Sequence, residues 1–264
     1  RRMKSDFKAD DVIKRFCDRK IERISDYKSL NPDERDLFSA LRNYRERALE
    51  LIQDESGSRK FIIKFLISLL TKRLLSSSYA FATTWWNHFA GLSETDVTEQ
   101  EIDRLVTRAS EEITDDEEKD TRQEEAVRKI GTWFSRNAHL MSDEIERISA
   151  ILIRMGLTAE FVTTPLTQQA GKLADSKWDA LLQWVKSNLV KDGKLRQDER
   201  VIIFTEYKAT LAYLKTRFKL AGFEEPRLQT LVGGTSSKER EQLKFYFNDA
   251  GSPLSILLVT DVAS

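Results

Sequence analysis

Apolar positions fall into two textures along the chain. Between about residues 31 and 188 they recur at three- and four-residue spacing, the period of helices with one buried face. Asn31-Pro32-Asp33-Glu34 reads as a helix start: Asn caps, proline suits the first helical position, and Glu34 completes a capping box. Leu37, Leu41, Tyr44, Ala48 and Leu51 then line one face. Ser58 opens a second helix, and residues 61–70 are apolar nearly all round, which predicts a central place in a bundle. A third helix carries Trp85 and Trp86. Thr98 to Glu101 forms another capping box; the acidic helix it opens runs into Thr114-Asp115-Asp116-Glu117-Glu118, read as an exposed turn. Helices are also predicted around 127–134 and 145–155. Pro165 and Gly171 mark a linker before a last helix of this set over 176–189.

From Arg200 the texture changes. Val201–Phe204, Leu228–Val232 and Ile256–Val259 are short unbroken apolar runs about 27 residues apart, with a helical pattern between each pair. Leu211, Leu214 and Phe218 mark the first of these helices; Ser236, with Glu239 three residues on, caps the second. Strand–helix–strand–helix–strand at this spacing predicts right-handed parallel crossovers. Runs without alternation predict strands covered on both faces, as in half of a doubly wound sheet. No internal repeat interrupts either region.

Composition fits a folded chain able to bury a sizeable core: 264 residues, 40% hydrophobic and 33% charged. No apolar run reaches the roughly 18 residues a membrane span needs. The single cysteine, Cys17, allows no internal disulfide and agrees with a reducing, cytoplasmic setting. The opening Arg1-Arg2, without Met, gives the expectation of a piece of a longer protein. Formal net charge is zero, but the charge is unevenly placed. Residues 94–125 hold 14 acidic and 4 basic side chains, whereas residues 1–93 hold 19 basic and 13 acidic. A neutral total therefore conceals a basic surface able to attract a polyanion.

Familiar catalytic motifs are absent. There is no phosphate-cradling G-x-x-x-x-G-K-[ST], no G-x-G-x-x-G, no H-E-x-x-H and no paired-cysteine spacing. The two histidines, His88 and His139, read as packing or surface residues. Trp85-Trp86 could stack bases, but adjacent aromatics on a bundle helix read first as core or interface. What polar chemistry there is gathers after the strands: Thr205-Glu206, Gly233-Gly234-Thr235 and Thr260-Asp261. Parallel strands bring all three to one sheet edge. Small hydroxyl and glycine residues there let backbone N–H groups approach a phosphate, helped by the helix starting at Ser236. Ordinary loop and capping roles remain the competing account of these residues.

Several stretches resemble the Swi/Snf-related branch of superfamily-2 helicases. Arg200-Val-Ile-Ile-Phe-Thr-Glu-Tyr-Lys resembles motif IV, and Leu231-Val-Gly-Gly-Thr followed by Lys238-Glu-Arg and Phe247-Asn resembles the next signature. Ile256-Leu-Leu-Val-Thr-Asp-Val-Ala-Ser is similar to the first half of motif V. Ser176-Lys-Trp-Asp-Ala-Leu resembles the segment entering the second motor lobe, and Arg1-Arg-Met-Lys-Ser-Asp the block closing the first. Arg19–Ile24 and Asn31–Phe38 are similar to RapA-like bacterial members.

The resemblance implies an α/β fold with a large α-helical part: a helical bundle insertion followed by a partial RecA-like parallel sheet (βαβαβ). It divides the chain into an interlobe connector (1–30), a helical insertion (31–170) and a truncated second RecA-like lobe (171–264). It implies part of an ATP-dependent translocase on double-stranded DNA, acting in remodelling of protein–DNA complexes, transcription recycling or phage defence. Thr205, Gly234, Thr235 and Thr260 would then contact DNA phosphates, and Asp261 would face the nucleotide cleft. Arg1, Arg2 and Lys4 would lie at the interlobe hinge, while Arg240 would support its own lobe. ATP and Mg2+ belong to the intact parent, since the first lobe and the later arginine-bearing motif are missing here. The fragment alone is expected to bind neither and to lack ATPase activity.

A different class of function is a non-catalytic interaction module, with the helices as a docking bundle and the sheet as a vestigial scaffold. On that account the acidic 94–125 segment docks a basic protein partner, or mimics DNA and holds the cleft shut. Simple solvation of the segment, and an α/β nucleotide-binding domain unrelated to helicases, are the remaining alternatives.

Overall fold

The computed structural model describes residues 21–260 apart from 25, 56, 95–97, 114, 197 and 198. Arg1, Arg2, Lys4, Cys17 and Asp261 lie outside the described residues. The helical region comprises α1 (Pro32–Leu51), α2 (Gly57–Ser76), α3 (Ser78–Gly91), α4 (Glu99–Ala109), α5 (Asp116–Phe134), α6 (Ser142–Arg154) and the short α7 (Ala159–Thr163). Then come α8 (Ser176–Leu189), a small hairpin of β1 (Val190–Lys191) and β2 (Lys194–Leu195), and β3 (Val201–Thr205). The chain continues through α9 (Lys208–Leu220), β4 (Leu228–Leu231), α10 (Ser237–Asn248) and β5 (Ile256–Thr260). The result is an α/β fold with a large helical part.

Helix starts are chemically specified. Asn31 caps α1 by accepting from the Glu34 N–H, and the Glu34 carboxylate returns to the Asn31 N–H at 3.0 Å. The second Glu34 oxygen accepts from the Ser176 N–H at 3.0 Å, so one buried carboxylate joins the starts of α1 and α8. As its pattern predicts, α2 lies inside the bundle, with Ile62, Ile63, Leu66, Leu70 and Leu74 buried. α3 and α5 cross on glycines: a methyl at Gly91 would collide with the Arg128 carbonyl, and one at Gly131 with the His88 carbonyl. Only hydrogen side chains allow two backbones so near each other.

The three long strands are parallel in the order β3–β5–β4, with Thr205 beside Thr260 and Leu231 beside Val259 in register. Helices α8 and α9 cover one sheet face through Trp178, Val185, Leu211 and Phe218, which pack on Leu228, Ile256 and Leu258. Leu243 and Phe247 of α10 cover the other face over Leu231, Leu257 and Val259. Coverage on both faces holds along β5, all of whose residues are buried, but fails at β3. Ile202 and Phe204 are 41% and 57% exposed, because α10 reaches over β5 and β4 and stops short of this edge strand.

The main bundle core runs from Leu37 to Ala170 and also takes in Tyr207 and Tyr213 from the sheet region. Tyr213 stacks on Tyr79 with ring centroids 5.2 Å apart. The β1–β2 hairpin is absent from the sequence-based expectation. Its turn is Asp192-Gly193, both at positive φ (52° and 74°), the backbone an Asp-Gly two-residue hairpin requires.

Candidate functional site

The carboxyl ends of β3, β4 and β5 meet the C-terminal end of α2 and the N-terminal turn of α5. At the centre is Asp116, the first residue of α5, which is only 4% exposed although its neighbours Asp115 and Glu117 lie on the surface. Its Oδ2 accepts the Gly233 N–H at 2.6 Å and the Thr260 hydroxyl at 2.5 Å. A carboxylate oxygen held by a backbone N–H and a threonine O–H is a charge-assisted arrangement, with the donor types that hold phosphate oxygens. Asp115 caps α5 by accepting from the Glu117 and Glu118 N–H groups, and its Oδ2 lies against Gly234. Glu117 forms an ion pair with Lys208 at 3.1 Å. Three successive acids thus touch the last residue of β5 and the segments that follow β3 and β4.

Segment 114–118, read from sequence as an exposed turn, is therefore corrected at Asp116. The acids do not surround a turn on the surface; Asp115 caps a helix, and that helix points its first side chain into the sheet edge. A sequence signal for the helix start was available, since a capping Asp followed by three acidic residues matches the macrodipole. Nothing in the local sequence specifies what the first turn docks against.

Each candidate residue has a definite place. Thr260 is fully buried, its hydroxyl committed to Asp116. Gly234 is exposed beside Asp115. Thr235 closes its own turn: its hydroxyl accepts from the Val232 N–H at 3.1 Å, and its N–H donates to the Val232 carbonyl at 3.0 Å. Thr205, 8% exposed, is 3.3 Å from the Ser76 hydroxyl. Ser76 and Ser77 in turn share the Thr210 hydroxyl at 2.8 and 2.9 Å. Asp116 thus gathers Thr260 and the glycine turn around one anion, while Thr205 is held separately by the end of α2.

A second weld sits alongside. Tyr207, two residues beyond the end of β3, is buried under the Arg73 guanidinium, 4.0 Å above its ring. Arg73 itself donates to Asp120 at 2.8 Å and Gln123 at 3.1 Å, linking α2 to α5. Burial raises the Tyr207 phenol above its ordinary value and keeps it neutral. At the rim, Lys72 pairs with Glu206 at 3.4 Å, and the side chains of Lys72 and Lys208 remain 56% and 40% exposed. Lys177 donates to the Leu74 and Leu75 carbonyls that end α2, at 3.4 and 2.5 Å, and burial lowers its pKa. The Ser176-Lys177-Trp178 segment thereby fixes α1, α2 and, through Arg217 stacked 5.0 Å from the Trp178 ring, α9.

No protein-family model, curated protein or solved structure matches this chain.

Chemistry at the edge therefore stands on geometry. Among the described residues no three His, Cys, Asp or Glu side chains converge as a metal ion would require. The edge also does not fit ATP: the glycine turn after β4 lacks the G-x-x-x-x-G-K-[ST] spacing of a phosphate-cradling loop, and the carboxylate seated on it would repel a triphosphate. His88, away from the edge, is fully buried against Tyr44, whose hydroxyl is 2.9 Å from Nε2, and burial lowers its pKa to about 4. Among the described helices none is long and apolar enough to cross a membrane.

Proposed function

We propose that this chain is part of an ATP-dependent double-stranded DNA translocase of the Swi/Snf-related type, contributing a helical insertion and the beginning of a second RecA-like lobe. The observation that carries it is the convergence of the Gly233 N–H and the Thr260 hydroxyl on one oxyanion at the carboxyl edge of a parallel sheet. Strand ends of open α/β sheets are where such folds bind ligands, and donors of this kind recognise phosphate without reading base sequence. Thr205 lies beside Thr260 in register and Thr235 closes the turn that holds Gly234, so these four candidates share the carboxyl edge of the sheet, where a phosphate backbone would run. Lys72 and Lys208, half-exposed and each paired with a glutamate, supply positive charge at its rim.

ATP and Mg2+ would be held elsewhere in the intact protein, because phosphoryl transfer needs a phosphate-cradling loop and metal-holding acids, which the described residues do not assemble at this edge. The role of this chain is then to hold the tracked strand while the nucleotide cleft opens and closes. In a polypeptide joining this chain to a phosphate-cradling first lobe, double-stranded DNA should stimulate ATP hydrolysis. Thr260→Val and Thr235→Ala should each reduce that stimulation by about tenfold, the scale of a lost charge-assisted hydrogen bond. Hydrolysis indifferent to DNA would favour the non-catalytic interaction module, for which the extensive welding of bundle to sheet is the supporting observation.

A further inference from the structure

Thr260 and the glycine turn already hold an anion that belongs to the chain itself. We propose that the first turn of α5, with Asp116 at its tip, is a displaceable internal plug that competes with backbone phosphates of nucleic acid for the sheet edge. The inference rests on the phosphate-track function proposed above and adds its regulation.

Four observations point the same way. First, the plug is chemically matched to a phosphate: one Asp116 oxygen takes both a backbone N–H and a hydroxyl. Second, it sits at the carboxyl ends of the strands: Asp115 faces Gly234, and Glu117 neutralises Lys208, a rim cation that a phosphate would otherwise meet. Third, the hold of the first turn on the edge is confined to a few polar groups. Its contacts with the edge described above are two hydrogen bonds and one exposed ion pair, and Asp115 and Glu117 themselves are exposed. Fourth, the body of α5 is anchored independently: Ala126, Val127 and Ile130 are buried, and Gly131 lies directly against α3. One turn can therefore leave the edge while the rest of the helix stays in place, provided a phosphate replaces the carboxylate on its donors. Release would free the Gly233 N–H, the Thr260 hydroxyl and Lys208 together.

Among the described residues of the acidic segment, none outside this turn shares its placement. Glu118 pairs with Arg122 within α5, and Glu94 pairs with Arg128, both on exposed surface. The excess charge of residues 94–125 makes a repulsive field for DNA in general, but only Asp116 occupies the donors.

Fluorescence anisotropy with a labelled duplex of about 20 base pairs in about 50 mM salt tests the plug on the full 264-residue chain. Asp116→Asn keeps shape and hydrogen-bond acceptor while removing the charge; Glu112→Gln removes one charge from an exposed position of the same segment. Asp116→Asn should tighten duplex binding by about fivefold and Asp116→Ala by at least about tenfold, against less than about twofold for Glu112→Gln. Adding Thr260→Val to Asp116→Ala should remove most of the gain. If Asp116→Ala melts without cooperativity, the Asn variant alone carries the comparison. Equal gains from Asp116→Asn and Glu112→Gln, or no gain from either while Thr260→Val still weakens binding, would overturn the plug and leave the phosphate track standing. No duplex binding by any variant would overturn the track itself, and the plug with it.

Discussion

Replacing Gly131 by alanine should destabilise the protein, although helix propensity alone argues for the reverse. In an exposed helix interior the change would gain about 1 kcal/mol. At Gly131 the new methyl would land on the His88 carbonyl and 3.0 Å from the Gly91 Cα, all backbone atoms that no side-chain rotation can move aside. Relief requires α5 to retreat from α3 by about 1 Å, and a gap of that size forfeits a quarter to a half of each dispersion contact across the seam. The seam includes buried Trp85, His88, Val127 and Ile130, so a gross cost of about 3 kcal/mol is expected for overpacking at this site. The net is a loss of about 2 kcal/mol. Urea unfolding followed by far-UV circular dichroism reads this as a lower midpoint at unchanged slope. Gly57→Ala is the control, since a methyl there meets nothing within 4 Å and should be neutral or mildly stabilising. A Gly131→Ala midpoint at or above that of the unmodified protein would refute the close crossing of α3 and α5. The crossing matters for function as well. Gly131 lies about 22 Å along α5 from Asp116, so the same contact fixes where the helix delivers its acidic tip.

Acid should weaken the fold through His88. Burial lowers its pKa from the ordinary 6.5 to about 4, so between these values the unfolded chain binds a proton that the native state refuses. Stability is therefore full above about pH 6.5 and falls as pH drops towards 4, by up to about 3 kcal/mol. Urea midpoints across that range should show the slope, and His88→Gln should flatten it; an unchanged slope would place the acid sensitivity elsewhere. Glu34→Ala should cost about 2 kcal/mol, because it strips acceptors from the Asn31 and Ser176 N–H groups at once. A thermal midpoint equal to that of an exposed substitution such as Glu112→Ala would show that the junction of α1 and α8 does not depend on this carboxylate.

Much of the architecture was written locally. Capping boxes at Asn31 and Ser236 act within four residues, and the helical period of residues 37–51 needs only one buried side, so their sequence signals lead directly to α1 and α10. Apolar runs likewise specify three strands, and crossover length makes them parallel. Three decisions lay beyond that range. Exposure of Ile202 and Phe204 depends on how far α10 extends across the sheet, which no run of apolar residues encodes. The glycines at 91 and 131 have meaning only as a pair, forty residues apart in sequence and touching in space. Above all, the sequence by itself determined only that Asp116 stands in an acidic stretch, read as an exposed turn, and Thr260 at a strand end; a separation of 144 residues hid their hydrogen bond. Tertiary structure decided that these two meet, because the rigid length of α5, pinned on α3, leaves its first turn over the ends of the strands.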